Sequence, residues 1–164
     1  MQKIDSLIEI LKQQADIYNY LLDKSKEKTD IIIEGKVDEL DRITKLENTL
    51  VSDIAKMESR REALVNKIAE EIGTTSDQVT ISELIKKIDK NEAEELEGLR
   101  NRISGILNEL KNINELNSML IKNSLEYAEF SLNILSTARV SDNNYGDSGK
   151  VSGPKNRSFF DVKL

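Results

Sequence analysis

The sequence predicts an all-α protein, an antiparallel helical hairpin or bundle of long coiled-coil-like helices followed by a flexible C-terminal tail. Three observations carry that expectation. Leu, Ile, Glu, Lys and Asn dominate a chain in which one-third of the residues are charged and only 4% are aromatic, a mix that suits long helices better than sheets. Apolar residues recur at alternating spacings of three and four along three separate stretches, which keeps one seam of each helix facing a neighbour. Turn-forming residues cluster between those stretches, and the one proline, Pro154, lies near the C-terminus. At 164 residues the chain is long enough for one domain with its own core, assigned to residues 1–140, with 141–164 as the tail.

The first helix is read from Ile4, Leu7, Leu11, Ala15, Tyr18, Leu22 and Ser25 to Ile32. It should stop at Gly35, since glycine accepts the left-handed conformation that closes a helix. A tight reversal follows, and Asp38 is the expected N-cap of a second helix. Its seam runs Leu46, Leu50, Ile54, Met57, Leu64 and Ile68, and it should end at Ile72-Gly73. The two helices are therefore expected to lie antiparallel. Thr74 to Gln78 reads as a turn, and Thr80 followed by Glu83 reads as a capping box for a short helix through Ile88. Asn91 is the expected cap of the last helix, whose length of roughly 65 to 70 Å at 1.5 Å per residue would carry its far end beyond the first two.

That last helix holds the most informative surface. From Leu96 through Leu99, Ile103, Ile106, Leu110 and Ile113 it has one seam, which suffices for folding. Beyond Leu116 the register continues through Leu120, Tyr127 and Ile134. A second row, Ile121, Leu125, Ala128, Leu132 and Leu135, together with Met119 and Phe130, then widens the apolar face until it nearly wraps the helix. A helix apolar nearly all round has to be covered by something. From Ser141 the composition shifts to Ser, Asp, Asn, Gly and Lys, with too little apolar surface to order a backbone. The chain closes on the short apolar run Phe159-Phe160 to Leu164, a candidate placeholder for whatever covers the helix.

Composition excludes several function classes. The chain has no histidine and no cysteine, so it offers no imidazole base, thiol nucleophile or soft metal ligand, and no cofactor or metal is expected. The net charge of −6 argues against nucleic acid or anionic lipid as the partner, because both reward clustered Lys and Arg. No signal peptide and no membrane span is legible, so the expected location is cytoplasmic and the expected partner a protein. The carboxylates Glu70-Glu71 and Glu92, Glu94, Glu95 are read as solvated helix faces, not as a catalytic acid and base. The protein is therefore not expected to be an enzyme. Asp142 to Asp147 lacks the distal glutamate and flanking helices of a calcium loop, and Arg60-Arg61 has i to i+4 neighbours in Glu58 and Glu62 that account for it.

Polar residues interrupt the last seam. Asn114 and Asn117 lie three apart on nearly one face, and Ser124 and Ser131 stand where leucine would pack better. Two readings are open: a buried Asn can fix helix register while small residues admit a neighbouring backbone, or the four can mark where a partner helix approaches.

The segment Asn114-x-x-Asn117-x-x-Leu120-Ile121-x-x-Ser124-Leu125 resembles the characteristic stretch in the last helix of the FlgN-type flagellar export chaperones. Leu40 to Leu64, with Leu46-Glu47 and Met57-Glu58-Ser59-Arg60-Arg61, is similar to the second helix of that family, although Met57 stands where leucine is more usual. Glu34 to Leu40 resembles its first reversal, and Tyr145-Gly146 its C-terminal end. The pieces occur in the family's order across essentially the whole chain. The resemblance implies a cytoplasmic chaperone that binds the C-terminal segments of the hook–filament junction proteins FlgK and FlgL, keeps them unassembled, and passes them to the flagellar type III export apparatus. With the apolar face, it points to Leu116, Leu120, Ile121, Leu125, Ala128, Leu132 and Leu135 as the client-binding row, positioned by Asn114 and Asn117. The alternatives are a homodimeric structural coiled coil, in which the surplus face pairs with its own copy, and a regulator that sequesters a protein by the same helix-on-helix contact.

Overall fold

The computed structural model describes residues 2–73 and 80–142, with side chains through residue 138. Four helices follow one another: α1 (Gln2–Glu34), α2 (Val37–Ile72), α3 (Ile81–Ile85) and α4 (Lys90–Asp142). No strand occurs among the described residues. The expectations for Thr74 to Gln78, for Tyr145-Gly146 and for the closing run Ser158 to Leu164 lie outside them.

α1 ends at Gly35 for the expected reason. Gly35 takes φ +69°, its amide donates to the Ile32 carbonyl at 3.1 Å, and the Lys36 amide donates to Ile31 at 3.2 Å. This pair of bonds satisfies carbonyls that the end of a helix leaves open. The reversal is so tight that α2 starts earlier than anticipated. Lys36, not Asp38, occupies the cap position, with no side-chain cap, and its carbonyl accepts the Leu40 amide at 2.9 Å. Asp38 and Glu39 fall instead in the first turn, where their charge favours the helix dipole.

α3 is capped by Thr80, whose Oγ1 accepts the Glu83 amide at 3.2 Å. The reciprocal half of the capping box is missing because Lys86 holds the Glu83 carboxylate at 2.6 Å. The helix stops at Ile85, short of the expected Ile88, and Lys87 turns back onto the Leu84 carbonyl. α4 likewise begins before its expected cap. The Asp89 carbonyl accepts the Ala93 amide at 2.9 Å, which leaves Asn91 inside the first turn. At its other end α4 runs through Asp142, two residues into the stretch expected to leave the helix.

The chain divides into two compact units, Met1–Ser124 and Leu125–Leu164, with the boundary inside α4. In the first unit α1 and α2 are antiparallel, as shown by Lys3 with Glu71, Gln14 with Glu58 and Ser25 with Glu47. α4 runs parallel to α1, as shown by Lys12 with Glu95, Asp16 with Arg102 and Lys26 with Glu109. α1 is therefore the helix with two neighbours, and it buries two rows: Leu7, Leu11, Ala15 and Leu22 of the expected seam, and also Ile8, Gln14 and Leu21. One core cluster joins Ile4, Leu7, Ile8 and Leu11 to Ile68 of α2, Leu84 of α3, and Leu96 and Leu99 of α4. A second joins Leu21 and Leu22 to Ile106 and Leu110, with Leu50 and Ile54 of α2 packed beside them. α3 thus serves chiefly to press Leu84 into one end of the bundle.

Candidate functional site

Beyond the second core cluster a polar layer interrupts the apolar packing of the first unit, with Ile31, Ile32 and Ile43 buried farther toward the α1–α2 reversal. Asn117 is 3% exposed. Its Nδ2 donates to the Ser25 carbonyl at 2.9 Å, and its Oδ1 accepts the Thr29 hydroxyl at 2.7 Å. The Ser25 hydroxyl in turn donates to Glu47 Oε1 at 2.8 Å, and Lys28 pairs with Glu47 Oε2 at 2.7 Å. One layer therefore ties α1, α2 and α4, and every buried side-chain polar atom described has a partner, as burial requires. Of the two readings open for Asn117, this geometry is the register-fixing one. The Asn117 amide is committed to α1, whereas Asn114, three residues earlier, is exposed. Leu120 and Ile121 are half-buried, and Leu116 is exposed.

A second polar set lies nearer the middle of α1. Gln14, buried, donates to Glu58 at 3.0 Å, and Arg61 grips the same carboxylate through Nε at 3.0 Å and through Nη2. The Arg61 hydrogen bonds, seconded by Gln14 and opposed by partial burial, hold the Glu58 carboxyl below the usual glutamate range. Arg61 is thus a partner for Glu58 on α2, one turn away, and Ser25, Thr29 and Glu47 complete the layer around Asn117. Ser25 was visible as a small residue on the α1 seam. Glu47 was marked only by the Leu46-Glu47 pair of the family resemblance and not by its spacing, because a glutamate on a charged helix looks like any other until a neighbour covers it.

In the second unit the described part of α4 has a different character. Leu125, Tyr127, Phe130, Leu132, Ile134 and Leu135 are all exposed, Leu125 and Leu135 at 61%, Leu132 at 58% and Tyr127 at 73%. At 100° per residue, Leu125, Ala128, Leu132 and Leu135 share one face, and Tyr127, Phe130 and Ile134 share another. A narrow polar stripe, Glu126, Glu129 and Asn133, separates them on one side. The hydroxyls in the region are turned back on their own helix: Ser131 donates to the Tyr127 carbonyl at 2.9 Å and Thr137 to Asn133 at 2.8 Å. Such back-bonding leaves the helix offering carbon surface more than directional donors. In the first unit Ser124 does the same to Leu120, at 2.9 Å.

An exposed apolar surface of this extent is the kind that marks an interaction site; among the described residues there is no cluster of metal-ligating groups and no helix long and apolar enough to cross a membrane. Comparison with known families gives the chain a family. The family model described as "FlgN protein" matches residues 1–153. The chain belongs to the FlgN family. It is similar to YvyG of Bacillus subtilis (strain 168), described as an uncharacterized protein, at 32% identity over 160 residues, covering 96% of this chain and 97% of that one. No solved structure matches it significantly. Membership carries the broad reading, a flagellar export chaperone, and gives the all-α bundle and its exposed helix a context.

Proposed function

We propose that this FlgN-family protein works in the cytoplasm as a chaperone for FlgK and FlgL. It binds their C-terminal helical segments, keeps them from assembling prematurely, and delivers them to the flagellar type III export apparatus. The observation that supports this most directly is the exposed apolar face of α4 formed by Leu125, Ala128, Leu132 and Leu135. A segment that polymerises through a helix has an apolar face of its own, and helix-in-groove docking matches the two through anchors spaced by threes and fours. Such a contact needs neither a catalytic group nor a cofactor. Its affinity comes from apolar area, and its selectivity from the polar stripe beside that area.

The test is capture from an extract of flagellated cells with the tagged full-length protein, followed by titration with purified FlgK and FlgL. Recovery of both, and loss of binding when their C-terminal segments are deleted, is the expected result. Recovery of a transcription regulator in their place, or binding that survives the deletion, would reject the assignment.

A further inference from the structure

A groove between α1 and α2, just short of the Gly35 reversal, has no residue of α4 in its walls. Its volume is about 210 Å³ and its floor is apolar: Ile31 and Ile43 are buried, and Leu46 is half-buried. A site for a drug-sized ligand or a cofactor runs to about 300 Å³ or more, so this one suits one or two side chains of a protein. Its charges leave one cation over. Lys24 pairs with Glu27 at 2.5 Å and lies over the Tyr20 ring, 5.7 Å from its centre, and Glu39 has Lys36 at 3.8 Å. Arg42, exposed on the groove wall, has no ion-pair or hydrogen-bond partner among the described residues. Glu27 and Glu39 line the same groove and repel a run of negative charge. A single carboxylate therefore complements the groove, and a polyanion does not.

We infer that this groove docks a helical segment of a partner protein in which one carboxylate and one leucine-sized side chain lie a single turn apart. The carboxylate meets Arg42, whose planar guanidinium donates two parallel hydrogen bonds to such a group. The aliphatic side chain covers Leu46 and the isoleucine floor. The spacing follows from α2. Arg42 and Leu46 are four residues apart on one face, about 6 Å along the helix axis, and a helix laid beside them answers with its own residues at i and i+4. The inference does not rest on the client assignment, because no residue of α4 takes part in it.

The probe is a capped helical peptide of alanine and glutamine that carries one glutamate and one leucine four residues apart, made in both orders. Each is titrated into the isotope-labelled full-length protein and followed by its amide chemical shifts. At least one order binds with a Kd on the order of 1 mM, the range open to so small an anchor, and the shifts cluster in residues 24–46. Glutamine in place of the peptide's glutamate, or Arg42→Gln in the protein, weakens binding about tenfold. Both changes together weaken it no further than either alone, because they remove the same contact. Alanine in place of the peptide's leucine also weakens it about tenfold. Arg60→Gln, at an exposed arginine farther along α2, leaves binding unchanged, as does Leu125→Asp with Leu132→Asp. Circular dichroism confirms that each variant keeps its helix content. Absence of shifts with both peptides, a loss as large with Arg60→Gln as with Arg42→Gln, or losses that add in the double change overturns the inference. A protein that binds the peptide and captures neither FlgK nor FlgL keeps the groove and loses the client assignment; capture without peptide binding does the reverse.

Discussion

Asn117 and Glu58 show how single polar residues fix the arrangement of this bundle. Asn117 supplies both a donor and an acceptor to α1, so sliding α4 by one turn would strand Ser25, Thr29 and the amide together. Replacing Asn117 with alanine is expected to lower stability by about 1–3 kcal/mol, the usual consequence of leaving buried partners unmatched, as read by urea denaturation. Binding of FlgK should be unchanged, and a loss of binding without a loss of stability would restore Asn117 to the contact surface. Glu58 adds a pH dependence. Its folded-state pKa is depressed by Arg61, so its contribution is fully present above the ordinary glutamate range and is lost as the pH falls through the lowered value. Stability measured from neutral pH downward should decline across that acidic window, and Glu58→Gln should flatten that part of the decline. An unchanged profile in the variant would show that the pair with Arg61 carries none of it.

At the scale of elements, α4 changes character along its length. Its proximal positions Ile106 and Leu110 lie in the core, and its distal Leu125 and Leu132 lie exposed. Replacing Leu125 and Leu132 together with aspartate should therefore leave the melting temperature nearly unchanged while weakening client binding about a thousandfold. Covering each exposed leucine is worth about 2 kcal/mol, and the two together correspond to about three orders of magnitude in affinity. Ile106→Ala with Leu110→Ala is the matched control and should cost about 4 kcal/mol or more of stability. An aspartate pair that binds normally, or that unfolds like the control, would make this row part of the core. Much of this division was legible in the sequence. The seams of α1 and α4 predicted the buried residues Leu7, Leu11, Leu22, Leu96 and Leu110, because a spacing of threes and fours fixes which face a helix buries. Helix starts were less legible: a two-residue reversal at Gly35-Lys36 began α2 ahead of Asp38, and Asp89 displaced Asn91, since caps depend on backbone geometry that composition leaves open. For Asn117 two readings stayed open, a buried register-fixing amide or a partner contact, because helical spacing identifies a face and leaves open what lies across it.

For the whole molecule, both core clusters and both polar sets are contained within Met1–Ser124, while the exposed apolar face that begins at Leu125 belongs to the second compact unit. The buried core and the exposed apolar face thus lie in different parts of the chain, and under the proposed function the face can stay uncovered without weakening the bundle. Stability in such an arrangement comes from burial in the first unit, and burying the exposed face waits for a partner. A protein ending at Ser124 should accordingly fold, with a thermal midpoint within a few degrees of the full-length chain, because no residue of either core cluster is removed. It should bind neither FlgK nor FlgL. Adding FlgK in excess should raise the thermal midpoint of the full-length protein and leave the shortened one unmoved, since only a ligand that binds the folded form shifts its stability. A shortened protein that is unfolded would show that the second unit is needed for the first. One that folds and still binds FlgK would move the client surface back onto the bundle, where Leu116 and Asn114 are the exposed candidates.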